Sequence, residues 1–246
     1  MTPHRYIKLP SGDHRPQTAS QGQGNPRLSL LAKGLMVTGI FIIGSVLWPI
    51  LSYELFIAPS LRSQQFVSPD PAQGEEQSGI EIEIENSTNL LNPSDWFPNA
   101  QVPRVRESKI THYTLSIARF NILDATVAIG GEDLSKSLIQ YPGSALPGDL
   151  GAIIIFGHSI LPQFFNPKNY MSIFSLIPSM ELGDEVIIKF DGITYTYRVI
   201  DKKEVKPDNI AVLEQPFDSE YLRLITCTPP GTYLRRAVIT AALVKT

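Results

Sequence analysis

Twenty consecutive residues without a charge, GLMVTGIFIIGSVLWPILSY from Gly34 to Tyr53, constrain this chain more than any other feature. A helix of that length covers a hydrocarbon core of ~30 Å, so the run predicts a transmembrane anchor over 34–53. The flanks give it a direction. Residues 1–33 carry a net charge of +4 and residues 54–105 a net charge of -6. The positive-inside rule therefore places 1–33 in the cytoplasm and the rest of the chain outside. Trp48 and Tyr53 stand near the outer end, where amphipathic aromatics favour the headgroup level. Pro49 is tolerable so close to a helix end, where few backbone bonds depend on it. A cleaved signal peptide fits less well, because the apolar run is too long and no clear small-x-small cleavage site follows. A buried core helix fits less well still, since the run has no polar face.

From 54 to 105 the composition turns to Ser, Pro, Gln, Asn and Glu, which resists collapse and reads as an extracytoplasmic linker. Its IEIEIE run from Ile80 to Glu85 has strand periodicity, but three Ile on one face are a small driving force, so an edge strand or extended spacer is expected. Asp95-Trp96-Phe97 stands out as an aromatic pair in polar surroundings, which must pack on the following domain or form a contact point.

Residues 106–246 alternate short apolar runs with turn signals. The strands expected are Thr114–Ile117, Ala125–Ile129, Ala152–Phe156, Glu185–Phe190, Ile193–Asp201, Leu222–Thr226 and Arg236–Val244, broken by GG at Gly130, LGD at Leu182, DG at Asp191 and PPG at Pro229. Short strands at this spacing predict an all-β sandwich or barrel. Only Glu132–Leu138 and Met171–Leu176 read as short helices, which disfavours a parallel βαβ sheet. The net charge of the whole chain is -3, so nucleic acid would meet no basic footprint.

Three residues of this domain could carry chemistry. Cys227 is the only thiol of the chain and ends the run Leu224-Ile225-Thr226 just before a Pro-Pro-Gly turn. A cysteine is commonly a small core hydrophobe, yet an unpaired thiol at a strand end of an exported domain is also a candidate nucleophile. His158 follows the run Ala152–Phe156 in the same manner, at FGHS. His4 and His14 fall on the cytoplasmic side and His112 at the start of the domain, which leaves His158 as the partner for a thiol. Arg235 and Arg236 open the last strand across the turn from Cys227, where on their own they would read as a solvated pair. Alternation along a strand lets only one of them face the cysteine.

Together these pieces are more specific than any one. LITCTPPGTYLRRAVI resembles the sortase signature, a TLxTC strand end followed by an arginine that opens the next strand. FGHS and its approach YPGSALPGDLGAIIIFGH resemble the histidine site of that family. TLSIARFNI, LGDEVIIKFDGITYTYRV and VKPDNIAVLEQ match elsewhere, so the resemblance covers about 106–246. It departs at Arg223, which stands where the signature has its first Thr; an effect on surface more than on chemistry is expected.

The resemblance implies an eight-stranded β-barrel with short helices, on an enzyme tethered outside the membrane by one N-terminal helix. Residue by residue it makes Cys227 the nucleophile, His158 the acid/base and Arg236 the group that steadies the substrate carbonyl, since Arg236-Ala237-Val238-Ile239 fits the family pattern better than a start at Arg235. It implies an LPXTG-like sorting signal, cut after Thr and passed through a thioester to an amine of the cell wall or of another protein. Val205, Ile210, Ala211, Val212 and Leu213 would line the pocket for the Leu-Pro part, with Thr226 beside the nucleophile. No metal or other cofactor is expected, because the sequence holds no Cys/His cluster suited to zinc. The chemistry needs each part: a cation to favour thiolate, an acid for the departing amine and a donor where charge develops. Two alternatives stay open, an endopeptidase that gives the same thioester to water and an idle tethered binding domain. No apolar run lies near Thr246, which leans towards attachment of single proteins to the wall, whereas Asp95-Trp96-Phe97 resembles the aromatic lid before the barrel of pilin-polymerising sortases.

Overall fold

The computed structural model describes residues 26–62, 91–100 and 110–244. The IEIEIE run and most of the basic N-terminal segment lie outside the described residues. The chain divides into two compact units, 1–44 and 45–246.

In the first unit the described residues belong to helix α1 (Pro26–Ser52), which continues into the second unit. Its large apolar side chains are exposed from Leu35 onward, and the Thr38 hydroxyl donates to the Gly34 carbonyl at 2.9 Å, which satisfies a polar group with the helix's own backbone. Among the described residues no single helix is long and apolar enough to cross a membrane; Lys33–Trp48 and Ile50–Arg62 meet that length and composition only when taken together. The break between them falls between Trp48 and Ile50.

The second unit is a closed barrel of eight strands. They are β1 (His112–Ile117), β2 (Ile122–Ile129), β3 (Leu138–Gln140), β4 (Gly151–Phe156), β5 (Glu185–Phe190), β6 (Ile193–Val205), β7 (Glu220–Thr228) and β8 (Arg235–Leu243). Around the barrel the order is β1-β2-β3-β4-β7-β8-β6-β5. The β2–β3 and β4–β7 pairs are parallel and the others antiparallel.

Exposure shows how the apolar pattern becomes two layers. On β1, Tyr113, Leu115 and Ile117 are buried and the residues between them are not, the period of two expected of a strand with one covered face. On β4 every residue is buried. Ile153 and Ile155 join the inner core with Leu115, Val186, Leu222, Leu224 and Ile239. Ala152, Ile154 and Phe156 point outward into a second cluster with Trp96, Phe97, Ile225, Cys227 and Val238. A strand covered on both faces reads as an unbroken apolar run, as GAIIIF does.

Three expectations are corrected. β3 escaped the sequence reading because three residues carry no period, and Glu132–Leu138 and Met171–Leu176 form turns rather than helices, the first running into β3. β6 runs to Val205 instead of Asp201, through an irregularity between Val199 and Asp201 that restores its pairing with β8. Tyr53, expected at the headgroup level, is 1% exposed. It opens a π-helical turn (Tyr53–Ile57) that leads into α2 (Ala58–Arg62), and Tyr53, Ala58 and Leu61 pack into the inner core.

Candidate active site

The β7–β8 pair sets the geometry of the site. Cys227 lies directly across from Arg236, and the next rung pairs Thr228 with Arg235. Side chains opposite each other share a face and successive ones alternate. Cys227 and Arg236 therefore face the outer cluster, and Thr228 and Arg235 the other side. Alternation alone left open which arginine meets the cysteine while the family pattern favoured Arg236, and in the register Arg236 stands opposite Cys227.

Arg236 is 4% exposed and held on three carbonyls. Its Nη1 donates to Tyr233 at 3.0 Å and Arg235 at 3.1 Å, and its Nη2 to Trp96 at 3.1 Å. The guanidinium carbon sits 5.3 Å from the Trp96 ring centroid and 6.0 Å from that of Phe97, within cation–π range. Only Nε–H is buried without a partner. The aromatic pair comes from a 3₁₀ turn, Pro93–Trp96, whose start is capped by the Asn92 side chain accepting from the Ser94 N–H at 3.1 Å. Trp96 packs edge-on to Phe156 at 5.4 Å. Burying two such rings contributes roughly 1.5–3 kcal/mol each, which explains how a short polar stretch stays docked.

The Cys227 thiol is pushed up to about 11 by burial, against a downward pull from the positive charge of Arg236. Burial in turn lowers the Arg236 guanidinium, and Cys227 raises it. The resting site holds a neutral thiol beside a cation.

His158 leaves the end of β4, where β4 runs parallel to β7 and Phe156 pairs with Ile225. The Gly157 N–H donates to the Ile225 carbonyl at 3.2 Å, which carries the histidine up to the cysteine's end of β7. The His158 Nδ1–H donates to the Met171 carbonyl at 2.8 Å. A carbonyl only accepts, so Nδ1 carries the proton and Nε2 is left with its lone pair free to accept. The Ser159 hydroxyl donates to the Cys227 carbonyl at 2.9 Å. Gly157 is required sterically, because a Cβ there would collide with the Phe174 ring. A cleft of about 200 Å³ opens over these groups, lined by His158, Ser159, Ile160, Cys227, Gly231, Thr232 and Tyr233.

The residues expected to bind substrate separate into two sets. Ile210, Ala211, Val212 and Leu213 form a 3₁₀ turn on the β6–β7 connection, with Ile210 and Ala211 exposed and Val212 1% exposed. Val205 and Val212 belong to the outer cluster with Cys227, and Leu213 packs against it. Thr226 is fully buried, its hydroxyl donating to the Gly157 carbonyl at 2.8 Å, so it braces the histidine approach. None of these six lines the cleft. Arg223 is no mere surface substitution: it is half-buried and donates from Nη1 to the Val212 and Glu214 carbonyls, both at 2.7 Å. Sequence reasoning passed over Met171, which acts through its backbone and leaves no side-chain signal, and Glu204, a buried acid inside a run of charges.

Cys227 and His158 line one cleft of the closed barrel, and Arg236 lies buried across the strand from Cys227. The sortase domain model matches residues 115–244, and the chain belongs to the sortase family, a family of cysteine transpeptidases. Among solved structures, the pilus-related sortase C of Group B Streptococcus is 22% identical with a TM-score of 0.50, over 61% of this chain and 78% of that one. Sortase C-1 from Actinomyces oris is 19% identical with a TM-score of 0.50, over 61% and 93%. Sortase C1 from Streptococcus agalactiae is 28% identical with a TM-score of 0.49, over 62% and 75%. The first two share the barrel fold. No curated protein matches the chain in sequence.

Proposed function

We propose that the chain is a membrane-tethered transpeptidase that cuts an LPXTG-like sorting signal and joins the acyl part to an amine of the cell wall or of another protein. The observation that carries this reading is the single rung on which Cys227 faces Arg236, with Cys227 and His158 lining one cleft.

In this mechanism the Cys227 thiol passes its proton to His158 Nε2, and the thiolate attacks the carbonyl carbon of the Thr in the signal. Nδ1, fixed on the Met171 carbonyl, keeps the ring aimed. The tetrahedral oxyanion takes a hydrogen bond from Arg236, whose buried Nε–H has no partner of its own and is reached once the covering aromatic turn moves aside. Collapse breaks the C–N bond, and the departing amine takes the proton from His158, which leaves a thioester. An incoming amine gives a proton back to His158, attacks the thioester and releases Cys227 as thiolate. The imidazole serves as acid and base in turn, and the guanidinium acts where charge appears only in the transition state.

Apolar surface on the 3₁₀ turn 210–213, together with Val205, supports the Leu-Pro pocket there. Its exposed members, Ile210 and Ala211, would touch substrate. Val212 would shape the pocket from behind, and Thr226 would act through Gly157. Residues 34–52 would anchor the enzyme, 1–33 would stay in the cytoplasm, part of 54–105 would act as spacer, and the catalytic unit would work outside. The aromatic turn Pro93–Trp96, seated on Arg236, would cover the arginine until substrate arrives.

The test is incubation of the full chain in detergent with a sorting peptide, with and without an added amine, read by mass spectrometry. An acyl adduct on Cys227 and an amine-linked product are expected, and both should vanish in Cys227→Ala. Hydrolysed peptide alone, unchanged by amine, would make the enzyme an endopeptidase. No adduct at all would refute the mechanism.

A further inference from the structure

Glu204 is the one acid among the buried residues of the barrel unit described here, and the acyl transfer above does not use it. It sits next to the end of β6, opposite Ala237, with its side chain fully enclosed. Alternation puts it on the side of Thr228 and Arg235, away from Cys227. An enclosed carboxylate persists only when its lone pairs are filled, and here the partners come from three parts of the chain. Oε1 accepts from the Tyr53 hydroxyl at 3.1 Å and from the Thr228 hydroxyl at 2.9 Å. Oε2 accepts from Arg62 Nε at 2.8 Å and lies 3.9 Å from Arg235 Nη1. Arg62 is braced in turn by Glu54, at 3.2 Å from its Nη1.

Both residues of the Thr228–Arg235 rung thus converge on one carboxylate, and the segment Tyr53–Arg62 converges on it from outside the sheet. The adjacent rung is Cys227–Arg236. Beyond Thr228 the chain enters the loop that leads to Arg235, so this rung is the last one holding the nucleophile's strand to its neighbour. We propose that Glu204 is a positioning residue: it ties the segment Tyr53–Arg62 to the Thr228–Arg235 rung and so fixes the register in which Cys227 and Arg236 meet the substrate. The inference rests on the transpeptidase reading for what the register serves, but not for the tie itself.

The experiment compares the full chain in detergent with Thr228→Val, Tyr53→Phe, Arg62→Gln and Arg62→Lys, none of which replaces Cys227, His158 or Arg236. Three quantities are read: the thermal midpoint, the rate of Cys227 alkylation by iodoacetamide at neutral pH, and steady-state transpeptidation of a sorting peptide. Thr228→Val and Arg62→Gln should each lower kcat about tenfold, the scale of losing one hydrogen bond to a charged group, with KM held within about twofold as expected when no substrate contact is lost. Alkylation should quicken severalfold as the rung loosens and water enters. Arg62→Lys, which keeps the charge, should recover most of kcat. Tyr53→Phe is the mildest cut and guards against a variant that fails to fold. Lowered thermal midpoints with kcat and alkylation unchanged would overturn the proposal, leaving Glu204 a purely structural acid, as would a failure of Arg62→Lys to exceed Arg62→Gln. A wild type that forms no acyl adduct would sink the transpeptidase reading alone, and the alkylation rates would still decide the tie.

Discussion

Cys227 and Arg236 hold opposite tendencies in one contact: burial keeps the thiol neutral, and the neighbouring cation favours its ionisation. With the thiol near 11 the thiolate is roughly one part in ten thousand at neutral pH. Alkylation of Cys227 should therefore keep climbing beyond about pH 9, where an ordinary thiol near ~8.5 levels off. Trp96→Ala removes a ring from the cluster that buries the sulfur, which weakens the leading cause and leaves the pull of Arg236, so the profile should move to lower pH and alkylation at neutral pH should rise. A profile identical to wild type would show that Trp96 does not keep water from the thiol. The arginines separate as cleanly. Arg236→Lys keeps the charge but loses the planar fork that spans three carbonyls. Removal of a transition-state donor costs about 100 to 1,000-fold in kcat. Arg235 has 42% of its side chain exposed, and Arg235→Ala should stay within about tenfold, as partly solvated residues do. The reverse order would move the role to Arg235.

At the level of elements, β1 and β5 were readable from alternation and β4, covered on both faces, from an unbroken apolar run. What the sequence hid has physical causes. β3 is too short for a period, and the irregularity in β6 changes the face on which its later residues lie, so Glu204 reads as one charge among Asp201, Lys202 and Lys203 instead of a buried hub. Trp96 and Phe97 were legible as residues needing cover, but their seat on Arg236 is a tertiary contact across 140 positions. Val212 shows the cost of reading a loop as surface. An Asp at Ala211 tests the pocket without harming the fold, whereas at Val212 it would bury a charge at a cost of several kcal/mol. Arg223 belongs at this scale too, since it pins the 3₁₀ turn 210–213 to β7 through two carbonyls. Arg223→Thr should release that turn, raising KM for the sorting peptide severalfold with kcat little changed and speeding protease cutting within 206–219. Unaltered KM and unaltered cutting would place the turn's stability elsewhere, in the Gln215 side chain that accepts from Ala152 N–H at 3.0 Å.

For the whole molecule the governing fact is charge asymmetry about one short apolar stretch, +4 before it and -6 after it. The basic flank resists transfer across the membrane, and the rule is strongest within a short distance of a span. Tyr53, Ala58 and Leu61 are enclosed in the barrel unit, and buried side chains cannot also meet lipid, so a proposed anchor would stop before them. The apolar stretch that could serve as the proposed anchor therefore ends before Tyr53. Two measurements check this arrangement on intact cells. A reporter fused after Thr246 should be active only outside the cytoplasm, and protease added outside should spare 53–62, which the Glu204 contacts hold against the barrel. A reporter active in the cytoplasm would reverse the orientation. Early cutting at 53–62 would mean that this segment leaves the barrel in the membrane, and with it the tie between the tether and the nucleophile's strand.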